Sequence, residues 1–413
     1  MKKAIALILA LLLTLCLFAG CAKSGGSTQA PASTPASGGS ASSGSSAPSG
    51  GSSDAPAVTD ANAPSRTDAG QVWAAGYAKI DEIAAQAAAY DKNAAKYKFT
   101  CNCHDPLNSA PGEFLTAWSN AVLAATEGQV YIDIGVSNAY CTDGTMATLD
   151  QMEAGAIDFD WTLPCYFGGY MPLTLVIQNP SLGIKNATVG SYAMWELYKN
   201  NAAIQKEYED DGKLLFVWCN NPSPLSYKGD HEVTSISEVK GNIRGNKGPA
   251  QMFVNQVGAT IYGCAIGDVY TNVSTGVINY LITDWHGIAS FNLYDEGELN
   301  YYVDTNIGCS AYCLMANSNV WAGLSDDLKA KIESVSGDYL LDLVCIWEYW
   351  EALGRYNASK LGDIYAPSGD FAQELNTAYE AVAQQWISEN GSEAQAVYDQ
   401  AKSLVEKYNA IYG

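Results

Sequence analysis

Val130, Ile132, Ile134 and Val136 alternate with Tyr131, Asp133 and Gly135, the period-two pattern of a strand with one buried face. Just upstream the spacing changes. Phe114, Leu115, Trp118, Ala121, Val122 and Ala125 recur at helical intervals and predict a helix over 113–126 with one buried stripe. A strand over 97–104 and a leading helix over 71–95 come before it. Strand, helix, strand is the order of a mostly parallel sheet with helices on its faces, so the expected class is α/β.

The pattern partly repeats. Residues 152–158, Met-Glu-Ala-Gly-Ala-Ile-Asp, are echoed by 273–279, Val-Ser-Thr-Gly-Val-Ile-Asn. Each reads as a helix stopped by a glycine able to take positive φ, followed by an apolar strand. Two domains of one kind, dividing near Asn220, are expected. From Ser325, an N-cap residue with Asp326 and Asp327 behind it, a long helix is predicted to about residue 359 through Leu340, Leu343, Ile346, Trp347, Trp350 and Leu353. Helices over 370–389 and 392–412 close the chain.

The start of the chain follows another logic. Lys2 and Lys3 precede an apolar run and then small residues up to Cys21, the order of a secretory signal. Leu17-Phe18-Ala19-Gly20-Cys21 resembles a bacterial lipobox, which makes residues 1–21 a lipoprotein signal peptide and Cys21 the lipidated residue. Residues 22–66 are almost entirely Ser, Gly, Ala, Pro and Thr, too poor in apolar surface to offset their ordering entropy, so a flexible tether is expected.

Charge narrows the partners. The net charge is −22, and Lys2, Lys3, Lys23 and Arg66 outweigh Asp54 and Asp60 by two, leaving −24 on the remainder. Nucleic acid and anionic lipid surfaces are therefore poor partners for the folded part. Beyond Cys16 and Cys21, nine of the eleven cysteines remain, an odd number without short paired spacing, which argues against a regular disulfide framework. Cys101-Asn102-Cys103-His104 holds metal-ligating residue types, but period-two spacing on a strand accounts for it. No metal or cofactor is expected.

With these motifs in order, the sequence resembles the solute receptors of TRAP transporters, the DctP-like dicarboxylate-binding family. The resemblance runs over about 97–361. It rests on the element at 149–158, on Val239-Lys240-Gly241-Asn242-Ile243-Arg244, on Val257-Gly258-Ala259, on Asp268-Val269-Tyr270, on Thr275-Gly276-Val277-Ile278, and on 317–328 leading into the long helix. It implies a two-lobed, periplasmic-binding-protein-like fold with two mostly parallel sheets and a long helix crossing both lobes. Lobe I would take 67–219 plus about 309–340, and lobe II 220–308 plus about 341–413.

It also implies that Arg244 holds a ligand carboxylate, a role that suits a fixed guanidinium fork. In the family an Asn often stands where this chain has Thr283, and a second Arg of some acid-binding members is absent near 218–223, which points to a monocarboxylate-bearing ligand. Ligands of open α/β folds sit beyond the carboxyl ends of strands, here 104–108, 160–166, 218–221 and 283–286. His104, Asn108 and Thr283 are therefore candidate contacts, and Trp161, Tyr166, Trp218 and Trp285 candidate stacking walls. The expected protein is an exported, lipid-anchored monomer, on the outer face of the cytoplasmic membrane or in the periplasm, passing a small organic acid to the small and large TRAP membrane subunits.

Two other classes stay open. An ABC-type or sensor-coupled binding lipoprotein has the same two-lobed shape. An exported hydrolase is allowed by inventory, although no Gly-x-Ser-x-Gly, His-Glu-x-x-His or Gly-rich phosphate loop is present.

Overall fold

The computed structural model describes residues 60–141, 143–167, 169–209, 212–295 and 299–413. The signal peptide, Cys21 and most of the expected tether lie outside the described residues. The stretch that is described, 60–66, lies against the fold: Asp60 pairs with Lys360, Arg66 with Glu113, and Ser65 O accepts from Trp73 Nε1 at 2.9 Å. A tether boundary at residue 66 is therefore too late, because charged residues at 60 and 66 find partners that composition does not reveal.

The helices, in chain order, are α1 (Val72–Ala87), α2 (Ala110–Ala125), α3 (Thr148–Glu153), α4 (Ala187–Asn200), α5 (Ala202–Glu207), α6 (Pro249–Gln256), α7 (Val269–Ser274), α8 (Trp285–Ser290), α9 (Ser318–Gly323), α10 (Asp326–Ser334), α11 (Asp338–Leu341), α12 (Ile346–Ala358), α13 (Gly369–Glu389) and α14 (Ala394–Tyr412). Helix α1 ends at Ala87, well before residue 95, and a separate 3-10 turn over Lys92–Ala94 follows, capped by the Asp91 carboxylate. Helix α2 starts earlier than its apolar stripe, because Ser109 Oγ accepts from Gly112 N at 3.1 Å and Pro111 suits the first turn.

Two sheets carry the fold. The first has the order β2-β1-β3-β10-β4, made of β1 (Tyr97–Asn102), β2 (Val130–Gly135), β3 (Phe159–Thr162), β4 (Lys213–Cys219) and β10 (Ala311–Ala316). The second runs β11-β9-β5-β8-β6-β7, made of β5 (Leu225–Tyr227), β6 (Asn242–Arg244), β7 (Thr260–Tyr262), β8 (Tyr280–Ile282), β9 (Tyr301–Val303) and β11 (Asp363–Tyr365). Within each sheet a single strand runs against the rest, β10 in the first and β5 in the second. The reason is topological: each of these strands arrives from the other lobe.

The two crossings, 220–224 and 304–310, bond to each other. Ser223 N donates to Gly308 O at 3.0 Å, Ile307 N to Ser223 O at 3.1 Å, and Ser310 N to Asn220 Oδ1 at 2.6 Å. A two-stranded ribbon thus joins the lobes. The repeated glycines behave as expected, Gly155 at φ 77° after α3 and Gly276 at φ 74° after α7, each leading into a central strand.

The predicted continuous helix from Ser325 is three helices, α10, α11 and α12. Gly337, at φ 54°, turns the chain between the first two, and a Cβ there would sit 2.7 Å from the Trp195 ring. Only α12 reaches both lobes. Gly354 lets it approach α8 so closely that a Cβ would lie 2.2 Å from Trp285 O, while Trp350 Nε1 donates towards Glu113 on α2 at 3.4 Å. Helix α14, expected with lobe II, instead packs on α4 of lobe I: the Tyr408 and Tyr192 rings lie 5.3 Å apart and Lys407 pairs with Glu196 at 2.7 Å. No helix among the described residues is long and apolar enough to cross a membrane.

Candidate functional site

Strand ends from both sheets converge on one cleft beside the connecting ribbon. From lobe I come His104 and Asp105 after β1, and Trp161 and Tyr166 at and after β3. From lobe II come Arg244 at the end of β6, and Thr283, Asp284 and His286 where β8 turns into α8. Asn220, Ser310 and Tyr312 line it from the ribbon and β10. The space left among these side chains is about 30 Å³, room for no more than a few waters. A ring-bearing ligand enters only when the lobes or side chains move apart.

Arg244 is only 3% exposed. Parallel pairing to β7 and β8 fixes its backbone, opposite Tyr262 and Leu281. Its Nη2 donates to Cys264 O at 3.4 Å, its Nε finds no hydrogen-bond partner, and no carboxylate among the described residues pairs with it. A buried cation left in this state costs several kcal/mol, on the order of 3–5 when one partner of a buried pair is missing. The site is short of one anion.

Two histidines in the same cleft are held in opposite states. Burial, helped by the neighbouring charges of His286 and Arg244, lowers His104 to about 4 against the pull of Asp105, so its imidazole is neutral. Its ring stacks on Trp161 at 4.4 Å between centroids. For His286 burial also opposes charge, but Asp284 at 2.8 Å and Asp105 at 3.1 Å overcome it and raise the group to about 10. The Asp105–His286 pair joins lobe I to lobe II inside the cleft.

Of the residues singled out in the sequence, the structure brings Arg244, Thr283, His104, Trp161 and Tyr166 together. Trp218 and Trp285 are not in the cleft. Trp218 is fully buried against Phe216 and Phe114, at 5.0 and 4.9 Å, and Trp285 lies between Tyr302 at 5.2 Å and the Arg355 guanidinium at 4.8 Å. Asn108 sits on another face, accepting from Arg66 Nη2 at 3.3 Å. Asp105, Asp284 and His286 fell inside the strand-end windows but were not singled out; an Asp-x-His spacing next to Thr283 was the available signal. Asn246, Ser310 and Tyr312 gave none, since only the return of β10 places the last two.

The sequence matches the family model "Bacterial extracellular solute-binding protein, family 7" (DctP) over residues 104–389. Among curated proteins it is 22% identical over 311 residues to the "Outer membrane transporter protein TsaT" of Comamonas testosteroni, covering 71% of this chain and 88% of that one. Among solved structures, a marine-metagenome TRAP solute-binding protein described as specific for aromatic acid ligands, in complex with metahydroxyphenylacetate, aligns with a TM-score of 0.70 at 23% identity, covering 76% of this chain and 99% of that one. A TRAP solute-binding protein from Rhodoferax ferrireducens with copurified benzoate aligns at 0.69 and 21% identity, with 76% and 99% covered. With a match across more than half its length and a two-sheet fold around a cleft holding a buried arginine, the chain belongs to bacterial extracellular solute-binding protein family 7.

Proposed function

We propose that this protein captures a small aromatic monocarboxylate outside the cytoplasm and hands it to a TRAP-type permease of one small and one large membrane subunit. The observation that carries the reading is Arg244, a buried guanidinium without a carboxylate partner among the described residues. A ligand carboxylate supplies the missing charge and two parallel hydrogen bonds. Among the described residues lining the cleft, the other cation, His286, is already held by two acids, which leaves none free for a second carboxylate. Trp161, Tyr166 and Phe291 offer ring faces on the walls. Benzoate and metahydroxyphenylacetate, the ligands of two structural relatives, have this chemistry.

Binding rather than catalysis fits the cleft's own chemistry. A Ser-His-Asp hydrolase needs one imidazole nitrogen free to take the serine proton. Both nitrogens of His286 face carboxylates, the unpartnered His104 Nδ1 meets no serine hydroxyl among the described residues, and Ser310 Oγ is engaged by Asn246 Nδ2 at 2.7 Å. Export and lipidation at Cys21 complete the proposal: the anchored receptor works as a monomer on the outer face of the membrane.

The test uses residues 60–413, retaining the Asp60 and Arg66 contacts. Native mass spectrometry should show a bound acid, and calorimetry should show binding of benzoate or a hydroxylated benzoate. Release of a chemically altered product, or no binding by any monocarboxylate in such a panel, would sink the reading.

A further inference from the structure

His104 and Trp161 stack face to face on the lobe I side of the cleft, and each carries a buried polar atom that reaches no other protein group: His104 Nδ1 and Trp161 Nε1. Buried polar atoms are nearly always satisfied, so two orphans on adjacent lining residues call for an explanation. Their hydrogen-bonding characters differ. An indole Nε1–H only donates. The Asp105 carboxylate lies 3.4 Å from His104 Nε2, and on that proximity we assign the hydrogen of the neutral imidazole to Nε2, which leaves Nδ1 as an acceptor. Burial keeps this ring neutral, as its lowered titration requires. One donor and one acceptor thus stand unmatched on two stacked rings that line the cleft.

We infer that His104 and Trp161 form a hydroxyl-reading subsite, so that the preferred ligand is a hydroxylated aromatic acid whose O–H donates to His104 Nδ1 and accepts from Trp161 Nε1. This rests on the reading of Arg244 as the carboxylate clamp. Arg244 comes from lobe II and the stacked pair from lobe I, so a hydroxy acid would be gripped at one end by each lobe. Asp105 is a positioning residue here. It sets the His104 tautomer on one side and binds His286 of lobe II on the other. A hydroxyl is the smallest single group that meets both orphans, whereas an unsubstituted ring leaves both desolvated and unpaired, the situation that sites built for a hydroxyl discriminate against strongly.

The experiment is a calorimetric comparison of benzoate with 2-, 3- and 4-hydroxybenzoate and 3-hydroxyphenylacetate, in the full folded part and in Trp161→Phe, which keeps a ring but removes the N–H. The best hydroxylated acid should bind wild type at least about tenfold more tightly than benzoate, and that ratio should fall to within about threefold in Trp161→Phe. His104→Phe, which also retains a ring for the stack, should collapse the same ratio and serves if Trp161→Phe melts early. Benzoate binding wild type as well as every hydroxylated acid would overturn the inference and leave the clamp standing. So would a preference that survives both substitutions. If no acid in the panel binds wild type, the clamp reading fails first and the hydroxyl subsite falls with it.

Discussion

Arg244 is buried and Arg355 about a third exposed, and their surroundings are opposite. Arg355 is saturated: Nη1 and Nη2 meet the two oxygens of Asp304 at 2.9 and 2.8 Å, Nε meets Glu351 at 2.9 Å, and the guanidinium lies over the Trp285 ring. Arg244 has one long bond to a backbone carbonyl and an orphaned Nε. The first is a structural ion pair with its charge cancelled inside the chain. The second carries a desolvation cost that no acid among the described residues offsets, which is the charge the proposed ligand carboxylate would supply. Burial of an arginine alone says little; what identifies a ligand clamp is burial without an acid.

The most damaging way to break this contrast is to remove the unpaired arginine. Arg244→Ala should lower affinity for the bound acid by on the order of 10²–10³-fold, from roughly 3–5 kcal/mol for an abandoned carboxylate, while the ligand-free melting temperature holds or rises. Calorimetry and a thermal melt read the two effects, and a large loss of stability with intact affinity would reverse the roles assigned to the two arginines. Next is to make Arg244 resemble Arg355. Cys264→Asp places a carboxylate on the residue whose carbonyl Arg244 already contacts, and an internal partner should weaken acid binding by at least about tenfold. Unchanged affinity in calorimetry would show that the guanidinium is not waiting for an anion.

Arg355→Met should behave the other way. Its side chain is 34% exposed, so solvent screening limits the loss to about 1–3 kcal/mol in urea unfolding, with affinity within about threefold of wild type. A tenfold affinity loss would join this arginine to the site. The smallest effect extends the contrast to His286, a cation held by two acids. Because its folded value is raised to about 10, its stabilisation is present below about pH 6.5 and is lost as pH climbs through 10. Ligand-free stability should therefore fall between pH 8 and 11 by about 1–2 kcal/mol more in wild type than in Asp105→Asn. Equal slopes in pH-dependent urea titrations would remove Asp105 as the partner.

Three tryptophans show where reading the sequence stopped. Trp161, Trp218 and Trp285 all lie at strand ends or just beyond, but β3 and β4 are buried on both faces, so period two separates no wet face from a dry one. Trp161 faces the cleft, while Trp218 packs beneath it against Phe216. The long helix failed for a related reason. Its apolar spacing runs on through residue 337, and the break comes from the Trp195 ring lying where a side chain at 337 would go.

Local chemistry was enough to determine the α/β class, the paired glycine turns at Gly155 and Gly276 and the terminal helices, because each depends on a period or a backbone freedom carried by neighbouring residues, whereas Arg244 stood out through the family resemblance of 239–244. Tertiary structure alone decided that Arg244 meets no acid among the described residues while Arg355 meets two, that His104 is neutral and His286 charged, and which tryptophan lines the cleft. Those states depend on burial and on partners from distant parts of the chain, Asp105 opposite His286 and Asp304 opposite Arg355, brought together only when β5 and β10 cross between the lobes.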